Sequence, residues 1–266
     1  MNGKVVTITS GKGGVGKTTT TANLGIALAS LGQKVVCIDA DIGLRNLDVV
    51  MGLENRIVYD LVDAIEGRCR LPQAMIRDRQ FENLFLIPAA QTRDKSAISP
   101  SDMVKLCDAL RSEVDWVIID SPAGIERGFR NAIAPSDEIL VITNPEISAV
   151  RDADRIIGVV EAEEKGPARL IINRINTRMI KRGDMLSADD VVNLLAIPLI
   201  GIVPEDEAVL VSTNHGQAVV LNEKSKAGLA FQNISRRMMG EEIPWVDLDE
   251  KTGLFNRLGK LLSGGN

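Results

Sequence analysis

Residues Gly11-Lys12-Gly13-Gly14-Val15-Gly16-Lys17-Thr18 decide the fold. They satisfy the pattern G-x-x-x-x-G-K-[ST], and they stand between a β-branched run at 4–9 and a helical-period segment at 17–31, the context in which that pattern forms a phosphate-binding loop. Glycines let successive backbone N–H groups converge on phosphate oxygens, and the helix that follows adds the positive end of its dipole. Lys17 supplies a point charge to the β- and γ-phosphates, and the Thr18 hydroxyl is an oxygen ligand for Mg2+. The loop from Gly11 through Thr19 is thus a candidate nucleotide cradle.

Outward from the loop, short apolar runs alternate with helical-period segments. Strands are expected at 4–9, 34–39, 84–87, 116–120, 139–143, 169–172 and 199–203, with helices at 17–31, 101–112, 148–163, 188–195 and 224–239. Most of these strands are too apolar for one-sided burial. This predicts a single-domain α/β architecture, a mostly parallel twisted sheet flanked by helices, over residues 1–245. An acidic linker, 246–253, then leads into a terminal segment, 254–266.

Composition removes several classes of function. With 36 acidic and 31 basic residues the net charge is -5, which argues against broad capture of nucleic acid. Cys37, Cys69 and Cys107 form no close pair, so neither a disulfide framework nor a zinc site is expected. No apolar run is long enough to span a bilayer and no secretory leader is legible, so a cytosolic chain is expected.

Carboxylates follow at the strand ends, where open α/β sheets place their ligands. Asp39 and Asp41 close the second strand, with ordinary loop solvation as the competing reading. Trp116-Val117-Ile118-Ile119-Asp120 is an apolar strand ending in an acid, and Asp120 is expected to hold Mg2+. His215, the single histidine, has no visible partner and reads as a surface residue.

Lys12 is an extra lysine that a general phosphate loop does not require. The form K-G-G-V-G-K-T at 12–18 resembles the deviant Walker A motif of the MinD/ParA ATPases, a branch of the P-loop NTPases. The resemblance continues through I-D-x-D-I-G-L-R-N-L-D at 38–48, D-S-P-A-G-I-E at 120–126 and T-N-P-E at 143–146. It implies ATP as the nucleotide, a homodimer closed over two ATP molecules, and a Lys12 that reaches the partner subunit's phosphates as an arginine finger does. It also implies that Asp41 orients the attacking water, that Asp39 supports the metal region, and that Gly124 donates a backbone N–H near the γ-phosphate. Asn173 and Pro204, the latter with 205–209, would line the adenine pocket. Residues alone do not separate ATP from GTP, although the guanine-reading N/T-K-x-D is absent, and Asn173 also suits a loop cap.

At 100° per residue, Leu254, Phe255, Leu258, Leu261 and Leu262 fall within an arc of about 120°, with Arg257 and Lys260 outside it. A last helix packed on the core would look the same. Added positive charge, the weak helix formers Gly253 and Gly259 and the acidic linker favour an anionic membrane surface instead. Burying the five apolar side chains is worth on the order of 7 to 15 kcal/mol, and ordering about ten residues costs a similar amount, so one tail binds poorly. Two tails on a dimer raise avidity by ~10² or more. The resemblance therefore implies a peripheral protein on the cytoplasmic face of the inner membrane. Its implied partners are the division inhibitor MinC, met through a helix face near Arg151, Asp152 and Asp154, and MinE or another topological regulator. A ParA-type partition ATPase, a flagellar-number regulator and an iron–sulfur electron donor share the loop. The last would need cysteines where this chain has Pro122-Ala123 and Asn131-Ala132.

Overall fold

The computed structural model describes residues 3–94 and 97–245, so the expected linker and the candidate membrane residues Leu254, Phe255, Arg257, Leu258, Lys260, Leu261 and Leu262 lie outside the described residues. The strands are β1 (Lys4–Thr9), β2 (Val35–Asp39), β3 (Ile76–Arg77), β4 (Leu84–Ile87), β5 (Trp116–Asp120), β6 (Glu138–Thr143), β7 (Ala168–Ile175) and β8 (Leu199–Pro204). The helices are α1 (Lys17–Ser30), α2 (Leu47–Val50), α3 (Leu61–Ile65), α4 (Leu71–Ala74), α5 (Pro100–Arg111), α6 (Arg127–Ile133), α7 (Ile147–Ala162), α8 (Thr177–Arg182), α9 (Ala188–Leu195), α10 (Glu207–Asn214) and α11 (Lys226–Met238).

Among the described residues eight strands join one sheet in the order β3-β4-β2-β5-β1-β6-β7-β8, and every pairing there is parallel except β3 with β4. Every residue of β2, β5 and β6 is buried, as strands covered by helices on both faces must be. One core layer packs α1 and α11 on one face, and two further layers fill the other. Gly25 lets α1 approach the sheet closely, since a Cβ there would strike the Cys37 sulfur.

Element ends follow local chemistry. Ser99 caps α5 by accepting the Asp102 N–H, with Pro100 at the first helical position, so the helix starts one residue before the sequence suggests. Ser225 caps α11 through the Gly228 N–H, which excludes 224 and 225 from the expected helix. Lys34 gives its N–H to the Asp115 carboxylate instead of a strand partner, and β2 therefore begins at Val35. Strand β3 and the short helices α2, α3, α4, α6, α8 and α10 were not expected; most are four to eight residues long, too short for periodicity to reveal.

Because the strands run parallel, the segments after β1, β2, β5, β7 and β8 emerge at one edge of the sheet. Strand β1 lies between β5 and β6, where the chain stops building toward one side and crosses to the other. Such a switch point leaves a crevice for a ligand, and 10–16 occupies it.

Candidate functional site

The phosphate loop turns on its glycines. Gly14 and Gly16 have φ of 77° and 103°, left-handed values that side chains resist, and Gly16 is the N-cap of α1. A Cβ on Gly13 or Gly14 would meet no atom within 4 Å, so both face open space, whereas one on Gly11 would collide with the backbone of Asp152 in α7. Val15 is buried beneath the loop. The cradle is wide where an anion would enter and tight where the loop is anchored.

Lys12 and Lys17 occupy opposite environments. Lys17 is 8% exposed and donates to the Ser10 hydroxyl at 3.1 Å. Burial presses its pKa below the usual lysine value, while the charges of Asp120 and Asp41 pull it back up. Lys12 is about half exposed and pairs at 3.7 Å with the equally exposed Glu146, just ahead of α7.

The three acids converge beside the loop. Asp39 and Asp120 are register partners on adjacent strands, and both are almost wholly buried. Burial raises the pKa of each, and for Asp120 the neighbouring Asp39 adds to the rise. The Thr18 side chain hydrogen-bonds Asp120, and the Thr21 hydroxyl lies 3.4 Å from its Oδ1. Asp39 accepts backbone N–H groups from Asp41, Asn46 and Leu47 at 3.0 to 3.1 Å, so it organises the loop after β2. In that loop Arg45 has a positive φ of 28° and pairs at 3.0 Å with the buried Asp48. Gly124, at φ 87°, donates its N–H to the Ser10 carbonyl at 3.1 Å.

On the far side, Asn173 donates to the Val15 carbonyl at 2.7 Å and accepts from the Arg174 N–H, fastening the segment after β7 to the phosphate loop. Pro204 ends β8 opposite Ile175. The structure thus brings together Gly11 through Thr19, Asp39, Asp41, Asp120 and Asn173. His215 is exposed on the rim of a separate groove with Gly52, Arg79 and Gln217. Thr21 escapes motif reading, while Ser10, Asp48 and Glu146 adjoin or close the quoted motifs without being given a part there. For Thr21 the only signal in the sequence is its closeness to Lys17 and Thr18 in the chain.

Mg2+ and a nucleoside triphosphate fit this site. The donors are one hydroxyl and hard carboxylate oxygens, and a cation would relieve two acids that burial now penalises.

Fold and cradle together define a P-loop nucleotide-binding protein. The family model for the CobQ/CobB/MinD/ParA nucleotide binding domain matches residues 6–219, and the chain belongs to that family. It is 53% identical over 264 residues to the septum site-determining protein MinD of Synechocystis, covering 98% of this chain and 99% of that one. Among solved structures it resembles the MinC:MinD cell division protein complex of Aquifex aeolicus, with TM-score 0.86 and 48% identity over 92% of this chain and 99% of that one. It also resembles the MinD of Pyrococcus horikoshii complexed with Mg-ADP, with TM-score 0.80 and 29% identity over 90% of this chain and 99% of that one.

Proposed function

We propose that this protein is an Mg-ATP-dependent, dimerising ATPase that binds the inner membrane reversibly from the cytoplasmic side and recruits MinC to position the division septum. The observation that carries the reading is the contrast between the two lysines. Lys17 already stands inside the cradle of its own chain. Lys12 stands at the rim, about half exposed and in a long ion pair with Glu146. A cation outside its own cradle suits the cradle of a second copy, where charge delivered in trans couples hydrolysis to dimerisation.

In this reading the N–H groups of Gly11 through Thr19 and the Lys17 ammonium hold the phosphates. Thr18 and Asp120, with Asp39 alongside, would hold Mg2+, which would supply charge neutralisation to the phosphates. Asp41 accepts a hydrogen bond from the water whose oxygen attacks the γ-phosphorus, as the bond to the ADP oxygen breaks. The Gly124 N–H leaves the Ser10 carbonyl to meet the γ-phosphate, so the loop after β5 reports whether that group is present. Asn173 and Pro204 border the adenine.

The similarity to MinD proteins supports the partner assignments, and the Aquifex complex makes MinC the natural client. MinE or another topological regulator would stimulate hydrolysis. Among the described residues no helix is long and apolar enough to cross a membrane. Attachment is assigned to residues 254–266 on their amphipathic, basic sequence, joined by the 246–253 linker to the ATPase domain at 1–245. Two weak tails on one dimer make attachment follow ATP.

Co-sedimentation with anionic vesicles tests the reading, with ATP against ADP and a DNA-binding control. The expected result is ATP-dependent sedimentation that is lost on deleting residues 254–266 while ATP binding persists. Equal sedimentation without nucleotide, or after the deletion, would overturn the membrane switch. Binding to DNA in place of vesicles would assign the chain to a partition role.

A further inference from the structure

One carboxylate, that of Asp206, sits at the start of two helices. Its Oδ1 accepts the Ala208 N–H at 2.9 Å and caps α10. Its Oδ2 accepts the Ser225 hydroxyl at 2.6 Å and the Ala227 N–H at 3.2 Å, at the first turn of α11. Ser225 in turn caps α11 through the Gly228 N–H at 2.9 Å. Burial alone would raise the Asp206 pKa, but the hydrogen bonds from Ser225 and from backbone N–H groups outweigh it and hold the pKa below the usual range.

The network links the two sides of the candidate site. Asp206 directly follows Pro204 and Glu205. The Glu205 N–H donates to the Ile175 carbonyl at 3.0 Å, and the Asn176 amide donates to the Glu205 carboxylate at 2.7 Å, so the segments after β7 and β8 form one wall. Helix α11 belongs to the layer that carries the phosphate loop. It packs on α1, and residues 219–221 are tied to both, by the Val220 N–H to Asn23 of α1 and by Gln232 of α11 to the Val220 carbonyl. Asp206 therefore fastens the wall to the frame from which α1 presents the cradle.

We infer that Asp206 is a positioning residue for the nucleobase, setting the distance between the wall after β7 and β8 and the phosphate cradle. The inference rests on the nucleotide reading above and adds a specific determinant to it. Nucleotide affinity requires base and phosphates to be met together, and a wall fixed in advance spares the cost of ordering it on binding. The phosphate chain alone is indifferent to that wall.

The test is calorimetric titration of the full chain with ATP, ADP and inorganic tripolyphosphate, each with Mg2+, alongside thermal unfolding. Asp206→Ala is expected to weaken ATP and ADP about tenfold while tripolyphosphate affinity stays within about twofold. Asp206→Asn, which keeps one acceptor for Ala208, falls between, and Ser225→Ala gives about a threefold loss in the same direction. Equal losses for tripolyphosphate and ATP would reduce the network to general stability. Unchanged ATP affinity in a folded Asp206→Ala variant would also overturn the inference. If that variant fails to fold, Asp206→Asn and Ser225→Ala decide by the same ratio. A native chain that binds none of the three refutes the nucleotide reading itself.

Discussion

The proposed phosphate side and the proposed base side of the candidate site are built by opposite means. The phosphate side is local: eight consecutive residues, a helix N-terminus and acids at the ends of the neighbouring strands β2 and β5. The base side is assembled from distant parts, with Asn173 holding Val15 across 158 positions and Asp206 holding Ser225 across 19. The first arrangement makes chemistry robust and the second makes recognition depend on the tertiary frame. Changes on the two sides should separate accordingly, in turnover and in affinity.

Lys12→Ala carries the largest expected effect. If Lys12 acts on a second copy, stimulated hydrolysis falls about 10³-fold or more, the range of a supplied arginine finger, with ATP affinity of the isolated chain nearly unchanged. Lys17→Ala should cost about 10²- to 10³-fold in turnover and weaken ATP binding as well, because its ammonium serves its own cradle. Single-turnover kinetics and ATP titration on both variants check the contrast. Full activity in Lys12→Ala would erase the distinction drawn between the two lysines.

Next in size is a stability effect with a defined sign. Asp120 has its pKa raised by burial and by Asp39, so the folded chain without metal binds more protons than the unfolded chain above about pH 4, the ordinary carboxylate range. That contribution to stability is complete at low pH and is lost as pH rises through the elevated pKa. Asp120→Asn removes the penalty, and the metal-free variant should gain about 1 kcal/mol or more at pH 8, a rise of roughly 2–4 °C per kcal/mol, with little gain at pH 5. Thermal unfolding at the two pH values, in chelator, measures it. Saturating Mg-ATP should shrink the advantage, since the native acid is then used.

Legibility follows the same division. The glycine loop and the strand-end acids could be read from sequence because their residue types are demanded by chemistry over short spacing. The strands could be read because both faces are buried, and seven of the eight in the sheet were expected near their observed limits. Strand β3 has two residues and pairs antiparallel at the edge, so it leaves no period to detect. Ser10, Glu146 and Asp206 are ordinary polar residues whose parts depend on what the fold brings beside them, such as Lys17, Lys12 and Ser225. Asp39 shows the boundary well. Its position at a strand end was legible, but the three backbone N–H groups it gathers from the next loop were not.

The smallest expected effect isolates the base-side wall from its attachment to the frame. Asn176 caps α8 by accepting the Arg178 and Met179 N–H groups, and it also donates to the exposed Glu205 carboxylate. Glu205→Ala removes the second bond and leaves the cap intact. A solvated hydrogen bond of this kind is worth about 0.5–1.5 kcal/mol, so ATP affinity should fall about two- to tenfold with no change in turnover at saturation. The loss should add to that of Ser225→Ala only partly, because both act on one wall and coupled sites do not sum. Full additivity in the double variant would mean that the segments after β7 and β8 respond independently, and the base side would then be two walls instead of one.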